Sequence, residues 1–345
     1  MPAPPLPSVS QWRSHFKSRG IDEETSRLYL SYIRPLAKKC VPVIFDREHL
    51  AKLLGRTEAF LATACSAPRH FYRNFSIPKR SGGVRAIDAP YKSLLECQRW
   101  ISSNILDSIP VHRSASGYIQ KKSIKDNASP HLGPKEVVTI DLKDFFPSIP
   151  LARVIAVFRE IGYTREVSLA LARLCCLNGA LPQGAPTSPP LSNIICRHLD
   201  SRIARLAAKL NLSYTRYADD ICLSGLHVPN GIIGSVDRIA ASEGFTINTK
   251  KTRRYSATNN FKVVTGLNVA ANELRVPKGF KRNASLALYH IDKHGLRSHL
   301  AKLKITDPAY LDRLFGKIGY WLFIEPEDQK ANRFRQLLLG LMNQR

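Results

Sequence analysis

Apolar residues recur at three- and four-residue steps along most of the chain, and yield in a few places to short continuous or alternating runs. Helices with a small number of strands are therefore predicted. Residues 8 to about 66 are helical in pattern: Ser10-Gln11-Trp12-Arg13 and Ile21-Asp22-Glu23-Glu24-Thr25 have the form of helix starts, and Leu50, Leu53, Leu54, Phe60 and Leu61 mark apolar faces. From Arg69 the character changes. Residues 71–78 are strand-like, 79–83 form a turn and 84–90 a returning strand, a hairpin rich in Lys and Arg. Residues 91–109 give a helix whose stripe (Leu94, Leu95, Trp100, Ile101, Ile105, Leu106) is assigned to the core. Residues 116–131 form a polar stretch containing Pro130. A buried strand at 137–140 ends on Asp141, and an amphipathic helix follows at 149–162. Turn formers at 181–189 open a second helix carrying Leu191, Ile194, Ile195, Leu199, Ile203 and Leu206. Two β-favouring runs, 212–217 and 221–224, flank Ala218-Asp219-Asp220. A helix at 236–242 and a hairpin strand at 261–269 come next, and helical spacing occupies the rest.

The pattern raises a chemical question at Asp219 and Asp220. Two strands meeting at adjacent carboxylates make an unfavourable turn, because like charges repel. A divalent cation would relieve this, since hard cations take carboxylate oxygens and then hold phosphates; a solvated Asp-Asp hairpin tip is the other reading. Asp141, at its own strand end, is a candidate third carboxylate. Three such groups could hold two metal ions ~4 Å apart, the arrangement of in-line displacement at phosphorus. Asp144 falls on another face and is read as a cap or supporting residue.

Composition narrows the partner. Among 345 residues, 44% are hydrophobic, enough for a large core. Lys and Arg number 52 against 27 acids, a formal charge of +25, which favours a polyanion, nucleic acid first, with binding weakened by salt. The sequence has no run of 18 apolar residues, and its Pro-rich start lacks the form of a signal peptide, so no membrane association is expected. Seven unpatterned cysteines read as reduced thiols of a cytosolic protein, with no zinc site.

Taken in order, these stretches resemble the reverse transcriptases. Asp141 with Phe146 five residues on is similar to their first palm motif, Pro182-Gln183-Gly184 to the loop contacting the incoming nucleotide, and Tyr217-Ala218-Asp219-Asp220 to their YXDD box. The resemblance implies an α+β right-hand polymerase fold. Its parts would be a helical N-terminal extension (1–68), fingers and palm with an antiparallel sheet (69–269) and a basic helical thumb (270–345). The extension is read as packing on the core, with a grip on RNA as the alternative. By the same resemblance two Mg²⁺ would sit on Asp141, Asp219 and Asp220. Lys79 and Arg85, with Arg80 as substitute for Lys79, would hold the triphosphate of a dNTP. Phe146 would block a ribose 2′-hydroxyl, with Phe145 as fallback. Gln183 would lie over the nucleotide, Gly184 would permit close backbone approach, and Lys251 (or Lys250) would protonate the leaving pyrophosphate. In the thumb, Lys278, Lys281, Arg282, Lys293 and Arg297 are candidate phosphate contacts.

Asn127-Ala128-Ser129-Pro130-His131 and Val264-Thr265-Gly266 resemble the NAxxH and VTG signatures of bacterial retron enzymes. That narrower resemblance implies RNA contacts at Asn127, His131, Val264, Thr265 and Gly266. It also implies a dedicated structured non-coding RNA as template, priming from a guanosine 2′-hydroxyl, a branched product with single-stranded DNA, and service in antiphage defence with a separate effector protein. An intron-derived or diversity-generating reverse transcriptase and a catalytically idle RNA-binding scaffold are the alternatives. No maturase-like region or Cys/His nuclease cluster is evident after the thumb, which counts against the intron form.

Overall fold

In the computed structural model, which describes residues 6–78 and 82–343, the N-terminal pattern gives four helices: α1 (Val9–Ser18), α2 (Glu23–Lys38), α3 (Arg47–Leu53) and α4 (Glu58–Ser66). The last three start on the side chains of Asp22, Asp46 and Thr57, each accepting from a backbone N–H of the first turn. Leu36, Leu50, Leu61 and Ala64 belong to the large core of the chain, whereas Phe16, Leu30 and Ile33 form a small core of their own. Most of this region therefore packs on the rest of the chain, as Tyr163 donating to the Pro42 carbonyl at 2.9 Å also shows.

The basic hairpin is β1 (Tyr72–Pro78) paired antiparallel with β2 (Val84–Pro90). Next come α5 (Lys92–Asn104), a short α6 (Ile124–Ala128), β3 (Glu136–Leu142), α7 (Leu151–Ile161), α8 (Arg165–Cys175), α9 (Ser188–Ile195) and α10 (Arg197–Lys209). They lead into β4 (Ser213–Tyr217), β5 (Asp220–Gly225), α11 (Ile232–Ser242) and β6 (Ile247–Tyr255). The helix expected over 91–109 ends early, at Asn104, and a 3₁₀ turn at Leu106–Ser108 precedes Pro110, which disfavours helix in the residue before it.

Strands β3 to β6 form one antiparallel sheet in the order β4-β5-β3-β6. Alternate residues serve its two faces. Val138, Ile140, Ile221 and Leu223 join the large core with α7 to α11, while Val137 and Cys222 face a second core. That second core holds Ala128, Val264, Leu267 and the helices α12 (Lys278–His294), α14 (Tyr310–Ile324) and α15 (Gln329–Met342), with α13 (Leu296–Lys302) between the first two. The strand expected at 261–269 is instead a tight hairpin, β7 (Val263–Val264) and β8 (Leu267–Asn268), turning at Thr265 and Gly266, both at positive φ. The result is fingers, an α+β palm and a helical thumb. Among the described residues no helix is long and apolar enough to cross a membrane, and all seven cysteines are free thiols.

Candidate active site

Strand pairing brings the carboxylates together. Asp141 on β3 lies directly opposite Asp220 on β5, so their Cβ atoms are cross-strand neighbours, roughly 5 Å apart in such pairs. Asp219 precedes Asp220 in a turn whose corner, Ala218, has φ 57, and the Asp219 carbonyl accepts from the Leu142 N–H at 3.0 Å. Lys251 on β6 donates to Asp141 at 2.8 Å, a contact that holds the lysine protonated. Burial pushes the Asp219 carboxyl up, and the Asp141 charge adds to it. Asp220, although exposed at the start of β5, is pushed up to about 7 by partial withdrawal from water and by the Asp219 and Asp141 charges.

Among the described residues no set of three or more His, Cys, Asp or Glu is gathered closely enough to hold a metal ion as the side chains stand, and Asp141 is paired with Lys251. The donor chemistry nevertheless fits a hard divalent cation: three carboxylates meet at two strand ends, and two of them are held above their ordinary range by burial and by their neighbours' negative charge. Protons and metal then compete for Asp220, and metal affinity is predicted to fall as pH drops through about 7, approaching tenfold per pH unit below it. In the metal-free chain the same group works the other way. Folded Asp220 binds its proton more tightly than unfolded, so its contribution to stability is present at low pH and lost as pH rises through about 7. The Mg²⁺ concentration giving half-maximal synthesis at pH 6 and pH 8 checks this; equal values would contradict it.

A buried polar cluster, not anticipated from the sequence, supports the turn from below. Arg216 on β4 is fully buried and forks onto Asp200 of α10, with Nε–Oδ1 and Nη2–Oδ2 both 2.7 Å. Its third nitrogen donates to the Ala218 carbonyl at 3.0 Å and to Asn193 Oδ1 at 3.1 Å. Tyr214 donates to Asp200 at 2.6 Å, and Asn193 Nδ2 donates to the Gly117 carbonyl at 2.8 Å. Gly117 presses on the turn closely enough that a Cβ there would meet the Ala218 nitrogen at 2.8 Å. The available signal was a lone Arg in a β-favouring strand and a lone Asp beside the apolar stripe of a helix.

The expected nucleotide side is partly in place. Phe145 is 5% exposed and packs on Phe245 in the core, whereas Phe146 is half-buried beside Tyr118, so of the two only Phe146 is open toward the site. Arg85 is exposed on β2, near enough for its charge to act on Asp219 and Tyr118. Lys79 and Arg80 lie outside the described residues. The Gln183 carbonyl accepts from the Asp88 N–H at 2.8 Å and so ties the loop to the fingers hairpin.

Gly184 does sit at a close backbone approach. The close approach it permits is to β2: a Cβ there would meet the Asp88 carbonyl oxygen at 2.7 Å and the Ile87 side chain at 3.0 Å, at a φ of +132°. Gly184→Ala is predicted to part loop from hairpin and to cost about 1–3 kcal/mol, read as a lower melting temperature. An unchanged melting temperature would contradict the assignment.

The signature residues are placed differently from their expected role at the RNA. Asn127, His131 and Val264 are at most 1% exposed. His131 meets Ser224 of β5 at 2.6 Å through Nδ1 and Thr215 of β4 at 2.8 Å through Nε2. Thr215 donates onward to the Asn127 carbonyl at 3.3 Å. Its hydroxyl hydrogen being used there, Thr215 accepts from Nε2–H, which leaves Nδ1 to accept from Ser224. Burial lowers His131 to about 4, so this neutral tautomer persists at pH 7. Asn127 donates to Thr265 Oγ1 at 3.3 Å. These side chains lock α6, the β7–β8 turn and the two strands carrying Tyr217 to Asp220. Thr265 and Gly266 reach toward solvent. In the thumb, Lys278, Arg282, Lys293 and Arg297 are exposed. Lys281 is instead taken up by Asp328 at 3.2 Å and by Glu325, over the Trp321 ring, and is not free for a phosphate.

Residues 77–269 match the family described as reverse transcriptase (RNA-dependent DNA polymerase). The chain is 37% identical over 225 residues to the retron Ec86 reverse transcriptase of Escherichia coli, covering 64% of this chain and 70% of that protein. It is 34% identical over 313 residues to the retron Mx162 reverse transcriptase of Myxococcus xanthus, covering 76% of this chain and 64% of that one. The retron Mx65 enzyme of the same organism is 31% identical over 344 residues, covering 88% and 77%. Reverse transcriptases use divalent metal ions, and the carboxylate cluster has the chemistry to hold them. The chain belongs to the reverse transcriptase family, among the retron enzymes, and is an RNA-directed DNA polymerase.

Proposed function

We propose that this polymerase copies part of a cognate structured non-coding RNA into single-stranded DNA, primed from an RNA 2′-hydroxyl so that the product is branched. Its catalytic part is supported above all by the register that sets Asp141 against Asp220, with Asp219 beside them and Lys251 on the neighbouring strand, and its retron part by the similarity to retron enzymes. Asp141, Asp219 and Asp220 would hold two Mg²⁺, which when bound supply activation of the attacking hydroxyl and charge neutralisation at the leaving pyrophosphate.

The chain's own residues orient the reactants. The buried Arg216 cluster fixes the turn that carries Asp219 and Asp220. Arg85, with Lys79 and Arg80, would bind the triphosphate, and Phe146 would meet the sugar under the Gln183 loop. Lys251 holds a proton at Nζ beside Asp141, a position from which it can neutralise the leaving group. Thr265 and Gly266, with Lys278, Arg282, Lys293 and Arg297, would meet the RNA. We assign the enzyme to the cytoplasm and to antiphage defence alongside a separate effector protein.

Primer extension on a generic RNA–DNA hybrid with dNTPs tests the catalytic part. Template-dependent extension requiring Mg²⁺ is expected; RNA binding without extension would leave only a scaffold.

A further inference from the structure

Tyr118 stands out among the residues around the carboxylates because its backbone is strained and its ring is half exposed. Its φ is 62, a left-handed conformation uncommon outside glycine, and its fractional exposure is 50%. The segment before it is anchored firmly. The Ser116 N–H donates to the Arg216 carbonyl and the Arg216 N–H to the Ser114 carbonyl, both at 2.8 Å, and Asn193 holds the Gly117 carbonyl. These bonds fasten Tyr118 to the same cluster that supports Ala218. Its ring lies between two others, 6.2 Å from Phe146 and 6.3 Å from Tyr217, tilted by 43° and 40°. Burial raises its hydroxyl and the Asp219 charge adds to this, so the ring borders the carboxylates as well.

An exposed aromatic held in a strained conformation against a half-buried one is suited to limit that neighbour's movement. We propose that Tyr118 is a specificity-determining residue for the sugar of the incoming nucleotide. Its ring backs Phe146 and keeps it from turning aside to admit a 2′-hydroxyl. The inference rests on the reading of Phe146 given above and extends it, because Phe146, whose other ring neighbour is Phe145 at 5.4 Å, would without Tyr118 be free to swing into the space that ring fills. The ring does the work and the hydroxyl does not.

The test is steady-state incorporation of dNTP and of the matching rNTP by four proteins: wild type, Tyr118→Ala, Tyr118→Phe and Phe146→Val. Melting temperatures are taken alongside. Tyr118→Ala is expected to lower the dNTP-over-rNTP ratio of kcat/KM by roughly tenfold or more, chiefly by admitting the rNTP, whereas Tyr118→Phe keeps the wild-type ratio. If Phe146→Val lowers the ratio and Tyr118→Ala does not, the inference is overturned and the role of Phe146 stands. If neither changes it, the role of Phe146 falls and the inference with it. Equal losses of dNTP and rNTP incorporation in Tyr118→Ala would also overturn it, by making Tyr118 a support of the turn alone.

Discussion

Asp219→Ala is expected to abolish DNA synthesis and to leave the fold intact. Asp219 is half-buried beside two further carboxylates, its own carboxyl raised by burial and by the Asp141 charge. Removing it relieves repulsion, so the melting temperature of the metal-free chain is expected to hold or rise. Metal binding, by contrast, would lose a proposed ligand that the other two could not replace. Loss of at least about a thousandfold in synthesis is expected, since the metals carry most of the charge stabilisation in such a site. Asp141→Ala should match it. The double variant should be little worse than either, because residues that act as a unit are not additive. Synthesis retained by either single variant would remove the metal assignment.

The second large effect is on stability. Arg216 and Asp200 are a fully buried, bidentate ion pair, and truncating one partner strands the other's charge away from water. Arg216→Ala is expected to cost about 3–5 kcal/mol and to appear as a collapse in thermal stability. Replacing the whole cluster with apolar groups separates stability from positioning. In Asp200→Leu/Tyr214→Phe/Arg216→Met no buried charge is left, and stability close to wild type is expected. Synthesis should still fall, on the order of tenfold to a hundredfold, because the Ala218 carbonyl has lost the donor that fixes the turn. Full activity in that triple variant would show that the cluster only fills space.

How much of this the sequence announced depended on the range of the interaction. The three carboxylates were legible because each ends or begins a β-favouring run, and antiparallel pairing of such runs brings their ends together. Phe146 was separable from Phe145 only once the strand end was placed, since both follow Asp141 closely and just one turns into the core. Contacts between distant residues left weaker traces. Arg216 and Asp200 are sixteen residues apart on a strand and a helix, and no periodicity relates them. Gly184 was recognised as a point of close approach, but its partner, the carbonyl of Asp88, belongs to another subdomain. The Asn127 and Val264 motifs told which residues matter and not which way they point. Asn127, His131 and Val264 pack against each other's segments and against β4 and β5 and do not face solvent, whereas Ser129, Pro130, Thr265 and Gly266 do. Lys281 reads as a surface cation on α12 until Glu325 and Asp328, more than forty residues on, are seen to close on it.

Branched single-stranded DNA made on the chain's own RNA is the proposed product, and the nucleic acid that co-purifies with the protein from cells carrying the native flanking DNA would reveal it. The material is run on a denaturing gel before and after RNase and debranching enzyme, beside an Asp219→Ala/Asp220→Ala control. A discrete single-stranded DNA whose mobility shifts on debranching, absent from the control, is the predicted result. RNA without DNA in both preparations, or DNA that debranching leaves unchanged, would contradict it.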